Sequence, residues 1–277
     1  MPDTPQKTGF APINGAQLYY ETAGNGVPFL MIHAGVADHR QWNNEFAHFA
    51  DSFRVARYDQ RRFGRSEPVP GAFSYLGDLT AIIDFLGLDG PLVLMGCSMG
   101  GGLAIDYALA HPDRVAALIL VGSGPSGLEL DVPTPDLFAQ AEAAYEAGDL
   151  DKVAEIETQI WFDGPTRTAA QVNPAMRALA HEMNRMALTH EAKGIGERVA
   201  GTPEPSAGRL AELTMPVQVI IGAHDIPYLR GAADYMMAHL PDARLSTIAD
   251  GAHLPNMDQP AEFRQIVSGF LQDIGLL

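Results

Sequence analysis

Leu92-Val93-Leu94-Met95-Gly96-Cys97-Ser98-Met99-Gly100-Gly101 decides how the rest of the chain is read. Leu92–Met95 is a short apolar run of strand length, and Met99–Ala110 has helical spacing that stops before His111-Pro112, where the residue ahead of proline resists the helical conformation. Between them, Gly96-Cys97-Ser98-Met99-Gly100 fits G-x-S-x-G. Outside a strand-to-helix context that pattern arises by chance. Within it, a serine on a sharp turn presents its hydroxyl at a helix N-terminus, where free N–H groups favour developing negative charge. Ser98 is therefore read as a candidate nucleophile.

Outward from this turn the same rhythm repeats. Pro28–Ile32, Arg54–Tyr58, Leu92–Met95 and Leu118–Val121 are too uniformly apolar to have a wet face and read as buried strands. Gln41–Phe49, Tyr75–Leu86 and Met99–Ala110 alternate with them at helical spacing. Ala11–Thr22 reads as a hairpin about Asn14-Gly15. From about Ser123 to Ala211 the chain is helical and rich in Ala and Met, with no strand of the earlier kind, and the series then resumes with Pro216–Ile221, Arg230–Leu240, Arg244–Ile248 and Pro260–Ile274. The expected fold class is α/β, a mostly parallel central sheet flanked by helices. Residues 1–122 and 212–277 are expected to form the core domain, with 123–211 an inserted helical cap.

Composition sets broad limits. The chain has 277 residues, 47% of them hydrophobic and 19% charged, an ordinary globular mix in a chain long enough to bury a large core unaided. Its single cysteine, Cys97, has no partner in the chain, which fits a reducing compartment. The stretch MPDTPQKTGF lacks a cationic segment followed by an apolar one, and no apolar run reaches bilayer length, so a cytoplasmic protein with no membrane partner is expected. A net charge of −16 argues against nucleic acid, which is held by Lys and Arg on phosphates. Neither H-E-x-x-H nor G-x-G-x-x-G after a strand occurs; no metal and no cofactor is expected. A homodimer is left open.

Gly96-Cys97-Ser98-Met99-Gly100-Gly101 in this setting resembles the nucleophile elbow of the α/β-hydrolase family, and the likeness covers nearly the whole chain. The family's order is nucleophile, acid, histidine. It implies Asp225, in Gly222-Ala223-His224-Asp225 after one strand, as the orienting acid and His253, in Gly251-Ala252-His253 after the last strand, as the base. His224 is read as a lining or surface residue. Gly122–Gly127, another place from which relatives draw the acid, carries no carboxylate. The other histidines, His39, His48, His111, His181, His190 and His239, have no matching partner in sequence and are read as structural; Asp84, Asp106 and Asp258 are read as surface or capping groups. The oxyanion donors implied are the N–H groups of Met99 and of Gly35, the latter in His33-Ala34-Gly35-Val36, where Ala34 replaces the usual glycine. Asp59–Ser66 resembles the family's D-x-R-G-x-G-x-S loop, with Arg62 in a glycine's place, and implies a buried Asp–Arg network beneath the site.

Serine at position 98, where dehalogenases and epoxide hydrolases of this fold carry aspartate, implies acyl transfer. His253-Leu254-Pro255-Asn256-Met257-Asp258-Gln259-Pro260 resembles the H-x-P-x-x-[D/E]-x-P segment of small-molecule esterases, enol-lactonases and cofactor-free haloperoxidase or perhydrolase relatives. C–C bond hydrolases of meta-cleavage pathways tend to have tryptophan where Leu254 stands. The resemblance thus implies a small carboxylic ester or lactone as substrate. C–C hydrolysis, perhydrolase chemistry and a slowly hydrolysing small-molecule receptor remain as alternatives. Trp161, Phe162, Met176, Met183, Met186 and Leu188 in the insertion are candidate pocket residues, with packing between helix and core as the competing reading; Trp42 and Tyr228 are expected on loops at the rim.

Overall fold

Eight strands form one sheet in the computed structural model, which describes residues 6–202 and 204–277. Residues 1–5, part of the stretch read as lacking a secretory signal, and Pro203 in the insertion lie outside the described residues. The chain enters as a hairpin, β1 (Lys7–Ile13) and β2 (Ala16–Ala23). Its turn residues Asn14 and Gly15 have φ of 47° and 80°, the left-handed pair a two-residue turn needs. Then follow β3 (Pro28–Ile32), β4 (Arg54–Tyr58), the two-residue β5 (Ala72–Phe73), β6 (Leu92–Cys97), β7 (Val115–Val121), β8 (Glu197–Arg198), β9 (Val217–Gly222) and β10 (Ala243–Ile248). The sheet order is β1-β2-β4-β3-β6-β7-β9-β10. Only β2 runs antiparallel to its neighbours.

Two apolar layers cover the sheet because successive strand side chains point to opposite faces. Leu30 and Ile32 of β3 join one core with α2 (Tyr75–Phe85), while Phe29 and Met31 join the other with α1 (Asn43–Phe49). α3 (Met99–Ala110) lies on the first face; α7 (Pro227–His239) packs there through Met236, and α9 (Pro260–Asp273) covers the second through Phe263, Val267 and Phe270. β6 and β9 are buried at every residue; β6 is an apolar run, and Gln218 of β9 is satisfied by donating to the Val219 carbonyl at 2.9 Å.

Element limits shift where local chemistry outranks hydrophobic periodicity. The helix expected from Arg230 begins at Pro227, a residue suited to the first helical position, because its own φ is preset and it has no N–H to leave unpaired. The helix expected from Gln41 divides into a 3₁₀ turn, His39–Trp42, and α1. Between β7 and β9 the chain forms α4 (Leu137–Glu146), α5 (Leu150–Thr158), a π-helical turn at Gln159–Asp163 and α6 (Pro174–Glu191). It also contains β8, two exposed residues paired with β5, too short to leave a pattern. The short α8 (Pro255–Asp258) follows β10. Among the described residues no helix is long and apolar enough to cross a membrane.

Candidate active site

Ser98 joins β6 to α3 with φ 53° and ψ −116°. A non-glycine residue there carries strain of about 1–3 kcal/mol, held in place by its surroundings. Ser98 N–H donates to the Val121 carbonyl at 2.8 Å, and the Ser98 carbonyl accepts from the N–H groups of Gly101 and Gly102 at 3.0 Å each. A Cβ on Gly96 would lie 2.3 Å from the Gly100 carbonyl oxygen, and one on Gly100 would lie 2.4 Å from that of Ile32. Only glycine lets strand, turn and helix approach this closely. The side chain of Ser98 is half-buried.

Asp225 and His253 stand on the loops after β9 and β10. His253 Nδ1 is 2.9 Å from Asp225 Oδ2, and both residues are buried. The other carboxylate oxygen accepts from the Ile226 N–H at 2.8 Å, so the aspartate is held at both oxygens. With Nδ1–H directed at the carboxylate, Nε2 is left as the proton acceptor. Gly122, at φ 49°, borders the pair: a Cβ there would come within 3.0 Å of both Asp225 Oδ2 and His253 Nδ1. The Trp161 ring lies over His253 with centroids 4.6 Å apart. Among the described residues Ser98 Oγ has no hydrogen bond to His253; the structure pairs the acid with the histidine and leaves the serine hydroxyl free. Such contacts commonly close only when substrate is bound.

The loop after β3 faces the same place. Neither the Gly35 N–H nor the Met99 N–H donates to an acceptor among the described residues. Both residues line a cavity of about 230 Å³. His33 is fully buried, with Nδ1 2.7 Å from the Ala34 carbonyl and Nε2 accepting from the Gln60 N–H at 3.0 Å. Burial pushes its pKa down, so it is a neutral brace for the loop. Ala34 is tied by its N–H to Gln41 Oε1 at 2.9 Å. Asn256 Nδ2 donates to the Gln41 carbonyl at 2.8 Å and to Glu45 Oε2 at 3.0 Å. The loop carrying Gly35 and the segment following His253 are thus joined by Gln41, Glu45 and Asn256, none of which the sequence pattern had singled out; only their burial and mutual distances reveal them.

Glu45 supplies a pH test of this brace. Burial raises its pKa to about 7, and its Oε1 has no partner among the described residues. The unfolded chain ionises this carboxyl near its ordinary value, whereas the folded chain holds the proton up to about 7. Stability from this group therefore falls as pH rises through that window and is flat above it. Glu45→Gln should leave stability little changed at the acid end and raise it by on the order of 2–3 kcal/mol above neutrality. Urea unfolding on both sides of the window measures this, and an equal shift at both ends would count against it.

A model of the alpha/beta hydrolase fold matches residues 27–260. The chain belongs to the α/β-hydrolase family. This hydrolase is 27% identical over 255 residues to a pimeloyl-[acyl-carrier protein] methyl ester esterase of Nitrosomonas europaea, covering 90% of this chain and 97% of that one. It is also 27% identical over 268 residues to a 2-hydroxy-6-oxononadienedioate/2-hydroxy-6-oxononatrienedioate hydrolase of Dechloromonas aromatica, covering 92% and 90%. The enol-lactonase of Burkholderia xenovorans LB400 has the same fold, with a TM-score of 0.76 at 21% identity over 95% of this chain and 99% of that one.

Several residues of the hydrolase stand elsewhere than the sequence implied. Trp42 is not at a rim: it is fully buried against Phe263, ring centroids 6.2 Å apart, because the 3₁₀ turn carries it into the core. Met183 is a core residue, the competing reading for the insertion, and Phe162 packs on the core while also lining a small cavity with Trp161, Val36 and Leu254. Met186 is half-buried and lines neither cavity beside Ser98, and Met176 packs on the second core. Trp161 and Leu188 do reach the site, Leu188 in the cavity beside Gly35. Tyr228 stands in the first turn of α7, not on a loop, because Pro227 starts that helix early; it lines a second cavity, about 250 Å³, that contains Ser98, and donates its hydroxyl to the Leu128 carbonyl at 2.8 Å. Asn184, Tyr75 and Arg198 also face the first cavity; no local pattern marked them.

The buried Asp–Arg pair expected beneath the site is present, with its aspartate supplied by α2 and not by the Asp59–Ser66 loop. Arg61 pairs with Asp78 at 2.8 Å, and Asp59 takes His39 Nδ1 at 2.7 Å. His39 thus has a carboxylate partner, supplied from twenty residues away in sequence. Asp258 is not a surface group either: its buried carboxylate is 2.8 Å from Arg167 Nη1. Arg167 also donates to the carbonyls of Phe162, Asp163 and Asp250, bolting the turn that carries Trp161 to the His253 loop. Asp38, His39 and Asp59 hold donor atoms within 4.8 Å of one another. Those atoms are engaged: Arg40 takes Asp38, while the His39 and Arg65 N–H groups take Asp59.

Proposed function

We propose that the chain is a serine hydrolase that cleaves small carboxylic esters or lactones through an acyl-enzyme. The observation that carries this reading is the buried 2.9 Å His253–Asp225 pair on the loops beside a serine held at φ 53°. Ser98 Oγ attacks the carbonyl carbon as His253 Nε2 takes its proton, and Asp225 holds the ring in the required tautomer. The new oxyanion accepts from the Gly35 and Met99 N–H groups. Collapse expels the alkoxide, protonated by His253; in a lactone it stays tethered to the acyl group. Water then attacks the ester by the same route in reverse order and frees Ser98. We read 123–211 as a lid on this site, since Trp161 covers His253 and Leu188 faces the cavity.

C–C bond hydrolysis is the second reading, favoured by the 27% identity to the dienedioate hydrolase. Leu254, where such enzymes tend to carry tryptophan, weighs against it. A panel of 4-nitrophenyl esters of rising chain length, γ-lactones and a vinylogous 1,5-diketone acid separates the two. Many turnovers on esters or lactones are expected. Turnover confined to the diketone acid, or a single stoichiometric burst with every ester, would overturn the ester reading.

A further inference from the structure

We propose that the substrate carries a carboxylate seated on Arg198 at the mouth of the Ser98 cavities, so that the chain selects acid-bearing esters or lactones over neutral ones of equal length. This rests on the ester or lactone reading above. Arg198 is exposed, and among the described residues its guanidinium has no hydrogen bond and no ion pair. It faces both the cavity of Gly35 and Met99 and the cavity of Ser98 and Tyr228. A cation so placed lies within reach of either side of an ester bound at Ser98. In a chain of net charge −16, a guanidinium left without a carboxylate at the site's mouth is a local reversal of sign, and such reversals steer anions.

The arginine is also held ready. β8 pairs with β5 through Phe73 and Arg198, with the Val199 N–H donating to the Phe73 carbonyl at 2.8 Å. The guanidinium of Arg198 lies 4.9 Å from the Tyr75 ring centroid, a cation–π contact that fixes its direction. Arg62 fastens this strand from the core side. It sits at φ 74° where the resembled loop has glycine, and its Nη2 donates to the carbonyls of Ile195 and Gly196, just ahead of β8. Those acceptors are neutral and, among the described residues, Arg62 has no ion-pair partner, so it adds a second positive charge to the same cavity.

Three carboxyl groups also face these cavities. Glu157 accepts from Asn184 Nδ2 at 2.8 Å, and burial pushes its pKa up, towards the uncharged form. Glu191 lies at the exposed end of α6. Asp106, in the second cavity, accepts from the Ser126 hydroxyl at 3.3 Å and is likewise raised by burial. Among the described residues none of the three forms an ion pair with Arg198 or Arg62, so both guanidinium groups stay open to a ligand.

Monomethyl adipate and methyl hexanoate have acyl chains of equal length and differ in the terminal carboxylate. Binding to the Ser98→Ala protein, measured by calorimetry at low ionic strength, separates recognition from turnover. The acid-bearing ester should bind about ten-fold or more tightly than the neutral one. Adding Arg198→Met should erase that preference, Arg198→Lys should retain part of it, and high salt should narrow it. In the protein with Ser98 intact, Arg198→Met should lower the ratio of kcat/KM values for the two esters by a similar factor. No preference, or one that survives Arg198→Met, overturns the proposal even where both esters are turned over. An Arg198-dependent preference in binding with neither ester hydrolysed supports it and overturns the ester reading instead.

Discussion

Ser98→Ala should cut turnover of 4-nitrophenyl butyrate by about 10⁵-fold or more and leave the fold intact. The second half of that expectation follows from the geometry. Ser98 Oγ makes no hydrogen bond among the described residues, and the turn is held by backbone groups: Ser98 N–H on Val121 and the Gly101 and Gly102 N–H groups on the Ser98 carbonyl. Removing the hydroxyl therefore strands no buried partner, and stability should change by no more than about 0.5 kcal/mol. The loss of rate has a different origin, because the proposed oxyanion donors, the Gly35 and Met99 N–H groups, would still bind a carbonyl with no nucleophile to attack it. A phosphonate ester should label the unaltered protein at Ser98 and fail to label the variant. Full activity in Ser98→Ala, or labelling at another residue, would remove Ser98 from its role.

His253→Ala should lose activity almost as completely, but with a stability cost that Ser98→Ala does not have. The imidazole is the partner of Asp225 Oδ2 at 2.9 Å and packs under Trp161 at 4.6 Å. Its removal leaves a buried carboxylate with one oxygen unpaired, at a cost of about 1–3 kcal/mol. Asp225→Asn should be milder for rate, about 10⁴-fold. The asparagine keeps one oxygen for the Ile226 N–H or for His253 but presents an N–H to a ring that must offer its own, favouring the wrong tautomer. Thermal unfolding beside kcat for the three variants tests the pattern. An Asp225→Asn protein of unimpaired rate would place the orienting acid elsewhere.

Much of the architecture was legible because it rests on local rules. Buried parallel strands are built on mainly apolar runs, and β3, β4 and α3 begin and end where their sequence patterns do. The glycines around Ser98 declare a turn whose close contacts exclude a Cβ. The pocket was far less legible. Trp42, Phe162 and Met183 have the chemistry of pocket residues and are packed into the core, since an apolar side chain gains as much from a helix interface as from a ligand cavity. Which way Phe162 and Met183 point depends on how the insertion lies on the sheet, and Trp42 on how its 3₁₀ turn meets α9. Nothing in a window of neighbouring residues records that.

The sequence by itself determined the α/β class, the strand-to-helix turn that carries Ser98, and the chain order in which Ser98, Asp225 and His253 occur. Each is a matter of periodicity, backbone sterics or position along the chain. Tertiary structure alone decided that Asp225 meets His253 across twenty-eight positions, that Gln41, Glu45 and Asn256 join two loops, and that Arg198 opens onto the cavities beside Ser98. Those contacts are between residues far apart in the chain, brought within hydrogen-bond or charge reach by the packing of the whole sheet. A carboxylate or guanidinium has the same letter in solvent, in a buried pair or at a cavity mouth; only its surroundings give it a task.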